Sequence, residues 1–558
     1  MSPDRTILAL SFLLASSAFA QTHAPSVPYG IGDAGRETEK PRPLAPPPAP
    51  APRIERREAE PLTLPQGKTL RVREFTLEAD EPPPFAEATW RAALLPYQER
   101  DLTLAAIEAA ASAITELYRA NGYPVASVYV PHQDARDGIV KLRALPGRYG
   151  AVRVKNQSAL RDDWVSAPFR KLPPNAIIRT AAIERAMLTI YDLPGAQMPE
   201  IALSPGEAAG TSDLDIGIPA GRRWSAHAIL DNHGSRYTGK NRLTAGVAWN
   251  SPLGIGDRLS VDAMQSEKSD LVYGRLAYAF PIGHDGLRAE VAAGETTYEL
   301  GGRFLDLDYG GVSRQWETRL EYPFIRSRAL DARVRLEFAQ KKMFDDFDGI
   351  RLNDKKASVT TLGLALQGWT GGGGYGKAEL AYTQGRLNFL EAAEKDIDKQ
   401  GVDTQGHYRK LSLDLAGSVL LTRSLRLETS LAAQYALSGK NLDSSEQMNL
   451  AGPNGLRAYR ESLTGDNGWR LDVALRHPLP TVADIAHQAF LFAGTGRVHD
   501  SDTRWNPDAK DDLRYSDAGI GYQAQKGFGF VRLQVARALN PVDGQSRTRV
   551  LLMAGASY

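Results

Sequence analysis

Cysteine is missing from all 558 residues. That excludes disulfide frameworks, thiolate zinc sites and cysteine nucleophiles. It also suits a chain that stays unfolded in an oxidising compartment before reaching its destination. A dominant charge is missing too, since 67 Lys and Arg balance 66 Asp and Glu for a net +1. Nothing in that balance points to nucleic acid. Past the N-terminus no apolar run is long enough for a membrane-spanning helix, and mean hydropathy is −0.34. A nucleotide site is missing as well. Gly234-Ser-Arg-Tyr-Thr-Gly-Lys240 approaches a phosphate loop, but Asn241 stands where Ser or Thr would hold magnesium. It reads as a turn. No catalytic pair, metal site or cofactor site is expected.

Residues 1–20 read as a secretory signal. Arg5 is its basic element, the segment 7–15 its apolar core, and Ala18-Phe19-Ala20 its small-x-small cleavage site. Residues 21–66 are rich in proline, which fixes φ and removes donors, so they read as an extended linker. Only Asp33-Ala-Gly-Arg-Glu-Thr-Glu-Lys40 offers a short polar helix.

Two small α/β modules follow, 67–147 and 148–220. In the first, 70–77 is a strand and Thr103 caps a helix running to about Asn121. Ile107, Ala111, Ile114, Leu117 and Tyr118 form its buried stripe, and Gly122 ends it. Residues 125–130 and 139–145 make a strand pair joined through Asp137-Gly138. In the second, 151–155 is a strand, and Thr180 opens a helix with Ile183, Met187, Ile190 and Tyr191 on one face. Leu214, Ile216 and Ile218 alternate in the last strand. With no chemistry in either, the modules read as binding units or as inert spacers. An exposed sheet edge accepts an extended peptide by strand addition.

Tyr118-Arg-Ala-Asn-Gly-Tyr123, Val130-Pro-His-Gln133, Asp137-Gly-Ile-Val140 and Pro146-Gly-Arg-Tyr-Gly150 resemble the first POTRA domain of two-partner secretion (TpsB) transporters. Val152-Arg-Val-Lys-Asn156 is similar to the entry of the second. The resemblance implies a linker, two POTRA domains in the periplasm and an outer-membrane barrel.

Residues 221–558 fit that barrel, because their period is two. Trp316, Leu320 and Tyr322 oppose Glu317, Arg319 and Glu321, while Trp469, Leu471, Val473 and Leu475 oppose Arg470, Asp472 and Arg476. Alternation alone fits a soluble sandwich as well as a lipid-embedded barrel. Connection lengths favour the barrel, with about sixteen antiparallel strands. Short connections at 251–256, 281–285, 323–328, 370–374, 420–423 and 525–527 alternate with long ones at 296–311, 340–356, 386–406, 437–467 and 497–514. His477, Asp484 and His487 bracket a segment that Pro478 and Pro480 break, and their spacing reads as a periplasmic turn.

By resemblance, 437–467 is the family's inward-folded loop, whose tip reads Val-Arg-Gly-Tyr. Here the tip is Gly455-Leu456-Arg457-Ala458-Tyr459, with Glu446-Gln-Met-Asn-Leu-Ala-Gly452 as the approach. The family's arginine meets an aspartate in a wall motif Phe-x-Asp-x-Gly. The matching stretch is Phe492-Ala-Gly494-Thr-Gly496, which lacks the aspartate. A shielded guanidinium needs an acceptor. Asp472 points inward because Leu471 and Val473 face lipid, so it is the expected partner of Arg457. Tyr515-Ser-Asp517-Ala-Gly519 mimics the wall motif but reads as the start of the next strand. The implied function is a nucleotide-free pore for a large secreted TpsA-type exoprotein, adhesin or haemolysin-like, with outer-membrane lipid around it. A barrel-assembly insertase shares the loop and barrel and is the alternative.

Overall fold

Alternation presents one face of a strand to each of two environments. In the computed structural model the stretch from Trp224 onward closes into a barrel of sixteen antiparallel strands, from Trp224–Asp231 to Thr548–Ser557. The structure describes residues 30–38, 53–56, 69–135, 137–208, 210–452, 454–505, 513–542 and 545–558. The expected signal and most of the linker lie outside these residues. Neighbouring strands pair in chain order. The last strand meets the first through five residue pairs, from His227 with Ser557 to Asp231 with Met553.

The apolar side of the wall points outward, where Leu320, Leu336, Leu491, Ile520 and Val550 are exposed. The charged side turns inward and pairs. Arg275 meets Glu290 at 2.7 Å and Glu317 at 3.2 Å, and Arg319 meets Glu337 at 2.9 Å. A soluble sandwich would bury the first set and solvate the second, whereas this arrangement suits lipid outside and a wet lumen. No described helix is long and apolar enough to cross a membrane. Exposed aromatics gather where the modules join the barrel. Trp224 stacks on Trp249 at 5.3 Å, and Phe528 meets the terminal Tyr558 at 5.4 Å.

One expected external loop, 340–356, is instead a continuous hairpin. Strands Leu330–Phe347 and Ile350–Trp369 run through it and turn on Asp348-Gly349, both at positive φ. Asp-Gly is the pair that a tight hairpin turn favours. Similarly, Asn467–Val482 and Ile485–His499 carry Pro478 and Pro480 within the first strand, and the turn is only Ala483-Asp484. The prolines do not break it, since they sit near its end, where the pairing register slips between Leu479 and Val482.

In the first module the stretch 70–77 is two strands. Thr69–Val72 pairs with Arg100–Thr103, and Glu74–Ala79 pairs in parallel with Ile139–Leu145. Helix Leu104–Ala120 is capped by the Thr103 hydroxyl and buries Ile107, Ala111, Ile114 and Tyr118, with Leu117 half-buried. In the second, helix Thr180–Tyr191 buries Ile183, Met187 and Ile190, but Tyr191 stands out at 37% exposure. It follows Ile190 by one residue, a rotation of about 100° that carries it off the stripe. The linker contributes a strand of its own, Arg53–Arg56, which pairs in parallel with Glu200–Pro205 at the edge of the second sheet.

The second module is fastened to the barrel. Asp192 takes both Arg326 Nη2 and Arg326 Nε at 2.7 Å, and Asp331, buried beneath, holds Arg333 at 2.7 Å. Trp164 lies edge-on to His284 at 4.4 Å, and the Arg161 amide donates to the Gly254 carbonyl at 2.8 Å. The first module is joined to the second by the Thr180 amide, which donates to the Gly122 carbonyl at 2.9 Å, and by Arg148 against Glu81 at 3.5 Å.

Candidate functional site

Two segments occupy the lumen. The first is the helix Ile31–Glu37, which begins before the expected polar stretch and buries an apolar face. Ile31 and Ala34 pack against inward residues that include Tyr298, Tyr309 and Met343. Seven residues do not hold a helix in water by themselves, so packing supplies its stability. Its N-terminus is tied to the wall, since the Ile31 amide donates to Asp345 Oδ1 at 3.1 Å. Asp345 also accepts from the Tyr298 hydroxyl at 2.7 Å and the Asn353 amide at 2.9 Å. Arg36 of this helix donates to the carbonyl of Ser444 in the second segment.

That second segment joins strands Arg426–Ala436 and Asn467–Val482, the eleventh and twelfth of the barrel. Its outgoing arm is held by buried charges. Glu446 is shared between Lys341 at 2.9 Å and Lys410 at 3.0 Å, and Asp443 takes Lys355 at 2.5 Å. These lysines sit on strands Leu330–Phe347, Ile350–Trp369 and Gly406–Leu420. The arm pairs back on itself through Met448–Asn449 and Thr464–Gly465. The tip then folds tightly. The Leu456 amide reaches the Leu450 carbonyl at 2.7 Å, and a Cβ on Gly455 would lie 2.3 Å from that same oxygen. Only glycine permits that approach.

The tip docks on strands Asn467–Val482, Ile485–His499 and Leu513–Lys526. Arg457 Nη1 lies 3.3 Å from Asp472 Oδ1, and its guanidinium covers the Phe492 ring at 4.4 Å. Arg470 Nε holds the other oxygen of Asp472 at 3.2 Å. Leu456 is fully buried. The Tyr459 hydroxyl sits 2.9 Å from the Ser516 carbonyl and 2.8 Å from that of Asn540, and it donates to one at a time. Gly494 shows how the wall works without an aspartate there. A Cβ on it would meet Leu456 at 2.7 Å and the carboxylates of Asp472 and Asp517 at 2.9 Å each. The two acids lean from neighbouring strands into the space that glycine leaves. Gly496 lies close to Leu450 in the same way.

Asp517 is the residue that sequence reasoning set aside. Its Oδ2 accepts from the Ala458 backbone amide at 2.9 Å, which fixes the tip through the main chain. The signal was present in Tyr515-Ser-Asp517-Ala-Gly519, and the register shows its place, with Gly494 paired directly to Asp517. The lysines of the outgoing arm were missed for another reason. Lys341 and Lys355 fall in the segment read as a loop, where inward orientation has no meaning.

The comparisons agree with this architecture. The family model described as haemolysin secretion/activation protein ShlB/FhaC/HecB matches residues 210–521, and a ShlB-type POTRA domain matches residues 70–147. The heme/hemopexin transporter protein HuxB of Haemophilus influenzae (strain 86-028NP) is 27% identical over 81% of this chain and 80% of its own length. The outer membrane transporter CdiB of Dickeya dadantii (strain 3937) is 24% identical over 70% of each chain. Among solved structures, CdiB from Escherichia coli has the same fold, with a TM-score of 0.68 at 18% identity, covering 100% of this chain and 99% of that one. Sixteen strands, inward charges, periplasmic modules and a family model spanning most of the barrel place this chain among the TpsB outer-membrane transporters of the ShlB/FhaC/HecB family.

Proposed function

We propose that the chain secretes an unfolded partner across the outer membrane, and that residues 437–467 and the helix Ile31–Glu37 close the pore at rest. The observation that carries this reading is a lumen occupied by two tethered segments that are not part of its wall. A passive porin has no use for such segments or for periplasmic modules. The partner is a large exoprotein of the TpsA type, consistent with relatives named for heme/hemopexin and haemolysin transport. The POTRA domains recognise it, and strand Glu74–Ala79 offers them a sheet edge for an extended segment. No nucleotide drives transport in this reading, because cargo that folds outside does not slide back.

The test is deletion of 437–467. It should raise single-channel conductance in planar bilayers and abolish secretion of the cognate partner. Unchanged conductance would show that the loop does not occlude the pore. An insertase reading would instead require barrel proteins, and not an exoprotein, to accumulate in the periplasm of the deletion strain.

A further inference from the structure

Beside the loop tip the lumen holds a cavity of about 530 Å³, lined in part by Arg457, Arg476, Arg532 and Arg549. The carboxylates around it are engaged. Asp472 holds Arg457 and Arg470, Glu428 holds Arg476 Nε at 2.6 Å, Glu379 holds Arg335 and Lys377, and Asp414, which also lines the cavity, is itself engaged. Arg532 has no such partner. Its Nε donates to Gln523 Oε1 at 3.0 Å, and among the described residues no carboxylate stands within ion-pair distance of it. Arg476 is only 9% exposed, yet its Nη1 is buried without a hydrogen-bond partner. Arg549, at 7% exposure, spends its terminal nitrogens on the carbonyls of Tyr459 and Asn232 and leaves Nε unpartnered.

Arg476 and Arg532 face the same cavity from the twelfth and fifteenth strands. Arg476 pairs across to Phe490, Phe490 to Gly521, and Gly521 to Gln534, and Arg532 is the next inward position after Gln534. The Phe490 ring lies 4.3 Å under the Arg476 guanidinium and sets its plane. Shielded guanidinium groups without enough anions are costly, and an unsatisfied buried donor points to a missing partner. The planar fork of arginine matches a carboxylate or phosphate.

We propose that this cavity is an oxyanion-binding site in which Arg476 and Arg532 take a carboxylate or phosphate group. The group has two sources: acidic side chains of a polypeptide in the lumen, or free phosphate. Arg532 belongs to the barrel wall and shares the cavity with Arg457 of the loop tip, and among the described residues no hydrogen bond or ion pair joins the two.

Full-length protein in detergent should be titrated with sodium phosphate, with hexaglutamate and with hexaglutamine, at constant ionic strength, and binding read by calorimetry. Saturable binding of an anion is expected, with Arg532→Gln weakening it by about tenfold, the loss of one charge-assisted contact. Arg532→Lys keeps the charge and should weaken binding less, which separates the site from a folding defect. Hexaglutamate binding alone would support a carboxylate source, and phosphate binding alone a free ion. Equal binding by wild type and Arg532→Gln, equal binding of hexaglutamine, or no saturable binding would each overturn the proposal.

Discussion

The two attachments of the 437–467 segment differ in kind. The outgoing arm is held by Glu446 and Asp443, with side chains about 6% exposed, against three lysines on three strands. The tip is held by Arg457, whose side chain is 23% exposed, by one backbone amide on Asp517, and by one hydroxyl. Removing one member of a buried pair strands its partner, whereas a partly wet pair re-solvates as it parts. This contrast predicts that the tip parts from the wall before the arm does.

Glu446→Ala should have the largest effect on this contrast. It leaves Lys341 and Lys410 without their shared anion, a loss of about 3–5 kcal/mol to the docked arm. Hydrogen exchange over 437–450 should accelerate accordingly, and unchanged exchange would mean that the arm is held by something else. Arg457→Ala comes next, at about 1.5–3 kcal/mol. It should cripple secretion while leaving barrel assembly intact. A double-mutant cycle with Asp472, read as loop protection, should give a coupling of about 0.5–3 kcal/mol, and strict additivity would remove Asp472 as the partner. The smallest effect is set by pH. Burial, and then Asp466 nearby, push the Asp500 carboxyl up to about 6. A raised acid favours its protonated state in the fold, so its contribution is fully present below the unfolded value and is lost as pH rises through about 6. Protease protection of 500–505 should thus be modestly greater at pH 5 than at pH 7. The reverse order would show that Asp500 titrates elsewhere.

The barrel was legible because inward and outward residues alternate without exception over Leu320, Glu321 and Tyr322 or Leu471, Asp472 and Val473. Asp472 could be aimed from its neighbours alone. Asp517 could not be ranked against it, because proximity across a strand pair depends on register, and register is fixed by pairs such as Gly494 with Asp517 that no local pattern displays. Loop lengths misled where charge was taken for exposure. Lys341, Lys342, Asp345 and Asp346 look like an external loop, yet they line strand Leu330–Phe347. The helix Ile31–Glu37 was legible as a helix but not as a lumen occupant, since its buried Ile31 and Ala34 acquire meaning only from Tyr298 and Tyr309 far along the chain.

The five-pair seam between first and last strands has a consequence in time. Asn232 and Val550 are 318 residues apart, yet the Asn232 side chain donates to the Val550 carbonyl at 3.0 Å. Closing so long a loop from a free coil would cost about 5 kcal/mol in chain entropy. Hairpins such as the one on Asp348-Gly349 form locally, and each one shortens the span that remains. The ends therefore meet after the rest has zipped. Until then Trp224–Asp231 and Thr548–Ser557 are bare edges, the state most open to mispairing with another chain. A newly exported copy passes its most vulnerable interval at the last step of its assembly, when every other strand already has both neighbours.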